Sequence, residues 1–185
     1  MARRLAKRAE EARRLTVDAD GLADFFGTIS RVHPDRKALA ALCIGTDRST
    51  GDAFGPLLGS LLNEQGWPHV IGTLEAPCDA HRLAAAVAAL PAGTIVLAFD
   101  ACLGKEEDIG KFTVLEGPLR PAAAIGGAAG MHAPVGHYSV AAVVGRKSVK
   151  PLWELQSASL HKVMGMTRTA ANALLAAWSG PVRAE

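Results

Sequence analysis

Two kinds of apolar run alternate along the chain. Leu39 to Ile44, His69 to Leu74, Thr94 to Phe99 and Ser139 to Val144 are short, nearly unbroken and bounded by turn residues. Such runs predict strands. Between them, apolar residues recur at helical spacing: Leu22, Phe25, Phe26 and Ile29, then Phe54 to Leu62, then the alanine-rich Ala80 to Leu90. The boundaries are marked. His33-Pro34-Asp35 ends the first helix, because a residue before proline avoids helical backbone. Pro56 is tolerable near the first turn of the second helix, Gly66 stops it, and Asp79 is placed to cap the third. Thr94 to Phe99 is apolar on both faces, so it belongs at the centre of a covered sheet and ends at Asp100. Gly110 to Glu116 predicts a further strand, open to an antiparallel orientation. A long amphipathic helix from Trp153 to Trp178 closes the chain.

This order predicts a three-layer α/β/α sandwich, hydrolase- or phosphorylase-like, with a mostly parallel sheet of about five strands. A basic helical extension (1–35) precedes a single α/β domain (36–185), a natural size for one core. Residues 117–136 are rich in Gly, Pro and Ala without periodicity. A stretch of that length in a compact domain suggests a functional loop.

Composition narrows the field. Apolar residues make up 49% and the net charge is +2, too mild to argue for nucleic acid. The basic excess is local: Arg3, Arg4, Lys7, Arg8, Arg13 and Arg14 face only Glu10 and Glu11. With no apolar core, that segment reads as neither a signal peptide nor a membrane span. Either a solvated helix or a contact for an acidic partner accounts for it. Cys43, Cys78 and Cys102 are odd in number and flanked by apolar residues, so they read as reduced, buried thiols of a cytoplasmic protein. The oligomeric state has no signature.

The candidate chemistry lies in Gly45-Thr46-Asp47-Arg48-Ser49-Thr50-Gly51-Asp52, between the first strand of the core and a helix. Open α/β sheets place their sites at such carboxyl strand ends. The loop lacks the Gly-Lys-Ser/Thr of a phosphate cradle and is not Gly-x-Gly-x-x-Gly. An aspartate at the helix start would repel a phosphate. Right-handed crossovers put the first and third strands side by side when the second lies outside. Asp52 and Asp100, 48 residues apart, then share one crevice. Each alone is explained as a cap. Two carboxylates in a partly dry cleft cannot both ionise cheaply, so one can serve as an acid and its partner as a base. With a histidine they suit a divalent metal instead, and His137 is better placed than His132 to face the crevice. Asp47 and Arg48 are expected to pair and shape the loop. No serine elbow is present.

At these residues the chain resembles a known family. Ile44 to Pro56, Gly72-Thr73-Leu74, Phe99 to Gly104, Glu116-Gly117-Pro118-Leu119 and Pro134-Val135-Gly136 are similar to sporulation proteins regarded as spore proteases of the YyaC type. That family is similar in turn to the spore germination protease and to hydrogenase-maturation endopeptidases. The resemblance implies an endopeptidase of sporulation or germination in the forespore or spore core, with small acid-soluble spore proteins as substrates. It places the two essential aspartates of the germination protease at Asp52, in Asp52-Ala53-Phe54-Gly55-Pro56, and at Asp100, in Asp100-Ala101. It also implies a maturation-type alternative, in which Asp52, Asp100 and His137 hold nickel or zinc; otherwise no cofactor is expected. A third option is a sporulation protein that binds peptides without cutting them.

Overall fold

A computed structural model describes residues 14–121 and 133–179. The elements are β1 (Leu15–Val17), α1 (Ala19–Val32), β2 (Leu39–Cys43), α2 (Phe54–Glu64), β3 (Val70–Ile71), α3 (Ala80–Ala88), β4 (Ile95–Gly104), β5 (Phe112–Glu116), β6 (Tyr138–Arg146), α4 (Pro151–Gln156) and α5 (Leu160–Ala177). One sheet of six strands has the order β1-β5-β6-β4-β2-β3. Strands β3, β2, β4 and β6 run parallel, while β5 is antiparallel to both β6 and β1. The expected adjacency of the first and third core strands is met: β2 pairs with β4 from Leu39↔Ile95 to Cys43↔Phe99, and β3 lies outside.

Strand alternation sorts the residues of β4 between two layers. Leu97, Phe99, Ala101 and Leu103 join the larger core, which α1, α2 and α5 cover through Phe26, Phe54, Leu58, Val163 and Leu174. Val96 and Ala98 face the opposite layer, where Leu83 of α3 is the buried helical residue. Asp100 and Cys102 share that second face. The three long helices α1, α2 and α5 therefore pack on one side of the sheet, with Leu155 of the short α4 joining their core, and α3 packs on the other. The thinner covering leaves room above the carboxyl half of β4.

The expected cap at Asp79 forms, and Asp18 adds one at α1. Asp18 accepts from the Gly21 backbone at the start of α1, and Asp79 accepts from His81 and Arg82 at the start of α3. Gly66, at φ +72°, ends α2. Other expectations are corrected. The boundary at 35 falls inside the domain, because β1 adds an antiparallel edge to β5 and α1 buries Leu22, Phe26 and Ile29 in the main core. The sheet accordingly gains a sixth strand. The central strand does not end at Asp100; it continues to Gly104 because β6 ladders against it from Asp100↔Ala141 to Gly104↔Arg146. The run from His69 to Leu74 yields only Val70–Ile71, since Gly72 turns the chain at φ +89°. The closing helix is two, with Ser159 capping the second. Among the described residues, no helix is long and apolar enough to cross a membrane.

Because Phe26 is fully buried against Phe99 of the central strand, Phe26→Ala is expected to cost about 3–5 kcal/mol of stability. Denaturant unfolding measures it. A loss under about 1 kcal/mol would mean that α1 is an appendage to the core.

Candidate active site

The loop after β2 is built to bring Asp52 back over the sheet. Ile44 still donates to the Phe99 carbonyl (2.8 Å), and Gly45 then donates to Cys78 (3.1 Å) as the chain turns away. Gly45 adopts φ +146°, and a Cβ there would run into the carbonyl oxygen of Asp52. Only glycine lets the returning loop pass so close to the strand end. Farther along, the Gly51 N–H donates to the Leu155 carbonyl of α4 (2.8 Å), and Ala53 donates to Ser49 (2.9 Å). These backbone bonds hold the loop. The expected Asp47–Arg48 ion pair does not form: both side chains are exposed, and Arg48 points into the cavity wall. The reason is that backbone bonds already fix the loop, and an exposed pair adds little.

Asp52 does not spend its carboxylate on capping. The cap position of α2 is Ala53, with no side-chain cap bond. Asp100 accepts one hydrogen bond, from its neighbour Ala101 N–H to Oδ1 at 2.8 Å. Opposite it on β6 stands Ala141, whose small side chain leaves the space above the carboxyl group open. Both aspartates are half-buried and line one cavity of about 920 Å³ at the carboxyl end of β2 and over β4, β6, β5 and β1.

Scarce water governs the electrostatics. Burial pushes the Asp100 carboxyl up to about 8, the Ala101 N–H opposes the rise, and the negative charge of Asp52 adds to it. Burial also raises Asp52, with the Ser49 hydroxyl opposing, although Ser49 Oγ makes no hydrogen bond of good geometry. Asp100 is thus the member that holds a proton at neutral pH, and Asp52 the member that ionises. With Oδ1 already an acceptor, the proton of Asp100 falls on Oδ2. Cys102, two residues on and in the same cavity, is no activated thiolate: burial, and then the Asp100 charge, push its thiol up to about 12.

His137 is not brought to this pair. Its Nδ1 accepts from the Val96 N–H (3.0 Å) and its own N–H donates to the Val96 carbonyl (2.8 Å), which fixes it at the amino end of β4. Four residues of extended strand, about 13 Å, separate Val96 from Asp100. His132 lies outside the described residues. Among those described, no three His, Cys, Asp or Glu side chains are grouped to hold a metal ion. The expected trio with nickel or zinc therefore does not fit, and no step below passes through a metal. Sequence reasoning missed His81, Lys105, Lys147, Thr16 and Thr113, which all line the cavity. Only the period-two pattern around Thr113 hinted at its facing.

Fold and site together define an α/β protein with a carboxylate pair in the crevice beyond the carboxyl ends of its central parallel strands. The chain belongs to a protein family of unknown function, DUF1256, whose model matches residues 16–173 and so takes in nearly all of β1 as well as α1. The uncharacterized protein YyaC of Bacillus subtilis (strain 168) is 35% identical over 143 residues, 75% of this chain and 68% of that protein. Among solved structures, the [NiFe] hydrogenase maturation protease HycI from Thermococcus kodakarensis KOD1 matches at TM-score 0.45 and 18% identity, over 74% of this chain and 92% of that one.

The raised Asp100 has a signed consequence. In the unfolded chain it ionises near 3.8, whereas in the folded protein it does so near 8. The native state then binds the extra proton between these values, and stability falls as pH rises from about 4 to about 8. Asp100→Asn removes that slope. Its melting temperature should match the wild type near pH 4 and exceed it increasingly toward pH 8. A constant difference across the range would mean that Asp100 titrates normally.

Proposed function

We propose that the protein is a peptidase that hydrolyses a peptide bond through Asp52 and Asp100. The observation that carries this reading is the sharing of one cavity by two half-buried carboxyl groups, of which Asp100 stays protonated at neutral pH. Protonated Asp100 donates to the scissile carbonyl oxygen and polarises it. Ionised Asp52 takes a proton from a water molecule whose oxygen attacks the carbonyl carbon. As the tetrahedral intermediate collapses, the C–N bond breaks, the leaving nitrogen takes the proton held by Asp52, and Asp100 regains its own. No covalent intermediate is needed, in keeping with the unreactive thiol of Cys102. The resemblance to YyaC-type proteins supports a role in sporulation or germination, in the cytoplasm or spore core. It also makes small acid-soluble spore proteins the first substrates to try.

Purified protein incubated with those proteins and with a mixed peptide library, read by mass spectrometry, tests the reading. Cleavage is expected, and either Asp52→Asn or Asp100→Asn should lower it by at least about 100-fold. The rate should fall on the alkaline side near pH 8, as Asp100 loses its proton. Wild-type rates in both Asn variants would end the carboxylate mechanism. Peptides bound but never cut would make the protein a binding module.

A further inference from the structure

The cavity extends well beyond the two aspartates. Register places Thr16 of β1 opposite Thr113 of β5, Thr113 opposite Ala141 of β6, and Ala141 opposite Asp100 of β4. Directly opposed residues point to the same face of a sheet. All four line the cavity, so its floor is a row crossing four strands from Asp100 to the sheet edge. Three inter-strand spacings make that row about 14 Å long, the length of about four extended residues. The floor is small and polar: two hydroxyls and a methyl group.

The wall has a sign. Arg48, Lys105 and Lys147 line the cavity and are exposed, with Lys105 only 3.8 Å from an equally exposed Glu107. Arg14 and Arg120 also line it, each with a partner of its own. The carboxylates that line it are largely committed. Asp108 is held by Lys111 (3.0 Å), Asp79 caps α3, and Asp100 carries a proton. Asp52 stands on the loop above the floor, and the lining presents more basic than acidic side chains.

We propose that this trough binds an extended, acidic polypeptide segment, which lies across β4, β6, β5 and β1 with its carboxylates against Lys105, Lys147 and Arg48. The assignment rests on the peptidase reading and names its substrate class. A trough of this length admits a chain of several residues, and its hydroxyls at Thr16 and Thr113 match the hydrogen-bonding groups of an extended backbone. The edge strand β1 is then part of the substrate site, not only of the sheet. Cations at the mouth act mainly on selection and encounter.

Binding is measured separately from cutting by using the Asp100→Asn variant. Fluorescence anisotropy follows a labelled peptide of about eight residues with alternating Glu and Ala, its Gln counterpart and a single-stranded oligonucleotide at low salt. The acidic peptide should bind at least about fivefold more tightly than the Gln peptide, as several partly screened ion pairs allow. The double variant Lys105→Glu, Lys147→Glu should erase that preference; both side chains are exposed, so folding is retained. Thr113→Trp should block both peptides, and circular dichroism checks that it folds. Equal binding of the two peptides, tighter capture of the oligonucleotide, or an unchanged preference in the double variant would overturn the proposal. Selective binding without wild-type cleavage would instead sink only the peptidase reading.

Discussion

A carboxyl group held where water is scarce must either find a cation or keep its proton, and among the described residues no cation is paired with Asp100. Among the described residues it accepts a hydrogen bond from the adjacent Ala101 N–H, and the charge that acts on it is another carboxylate, Asp52. Desolvation raises it and Asp52 raises it further, so one proton serves two acids. That arrangement costs the folded state stability, which the large core on the opposite face of the sheet offsets. Phe26, Phe54, Phe99 and Phe112 are all fully buried there. The strained chemistry is on the thinly covered face and the stabilising bulk on the other.

Placing the pair needs two kinds of rigidity. Asp100 is fixed by the ladder, since β2 and β6 flank β4 as parallel neighbours. Asp52 stands on a loop, and the loop is held by Gly45 passing under its carbonyl and by the Gly51–Leu155 backbone bond. The short helix α4 is thereby a strut of the site although it carries none of its acids. Gly55 plays a similar part lower down: a Cβ there would meet the Ile44 carbonyl, so α2 can press directly on the strand end.

Much of this was readable because the signals were local. The cap at Asp79, the stop at Gly66 and the adjacency of the first and third core strands follow from capping chemistry, positive φ and crossover handedness. Features set by distant partners were not readable. Residues 100–104 remain extended only because β6, some forty residues later, ladders with them. Leu15–Val17 is a strand because β5 lies beside it, and its own pattern is too short to say so. His137 turns toward Val96 for the same kind of reason. The mouth cations are exposed lysines and arginines scattered from residue 14 to residue 147, and only folding makes them neighbours.

The central claim is that Asp100 is protonated at neutral pH, and direct titration addresses it best. With aspartate 13C-labelled at the side-chain carboxyl, the account predicts one resonance that titrates near pH 8. It should vanish in Asp100→Asn and shift to lower pH in Asp52→Asn, as the neighbouring charge is removed. If every aspartate resonance titrated below about pH 5, within the ordinary carboxylate range, the pair would be doubly ionised and the account contradicted.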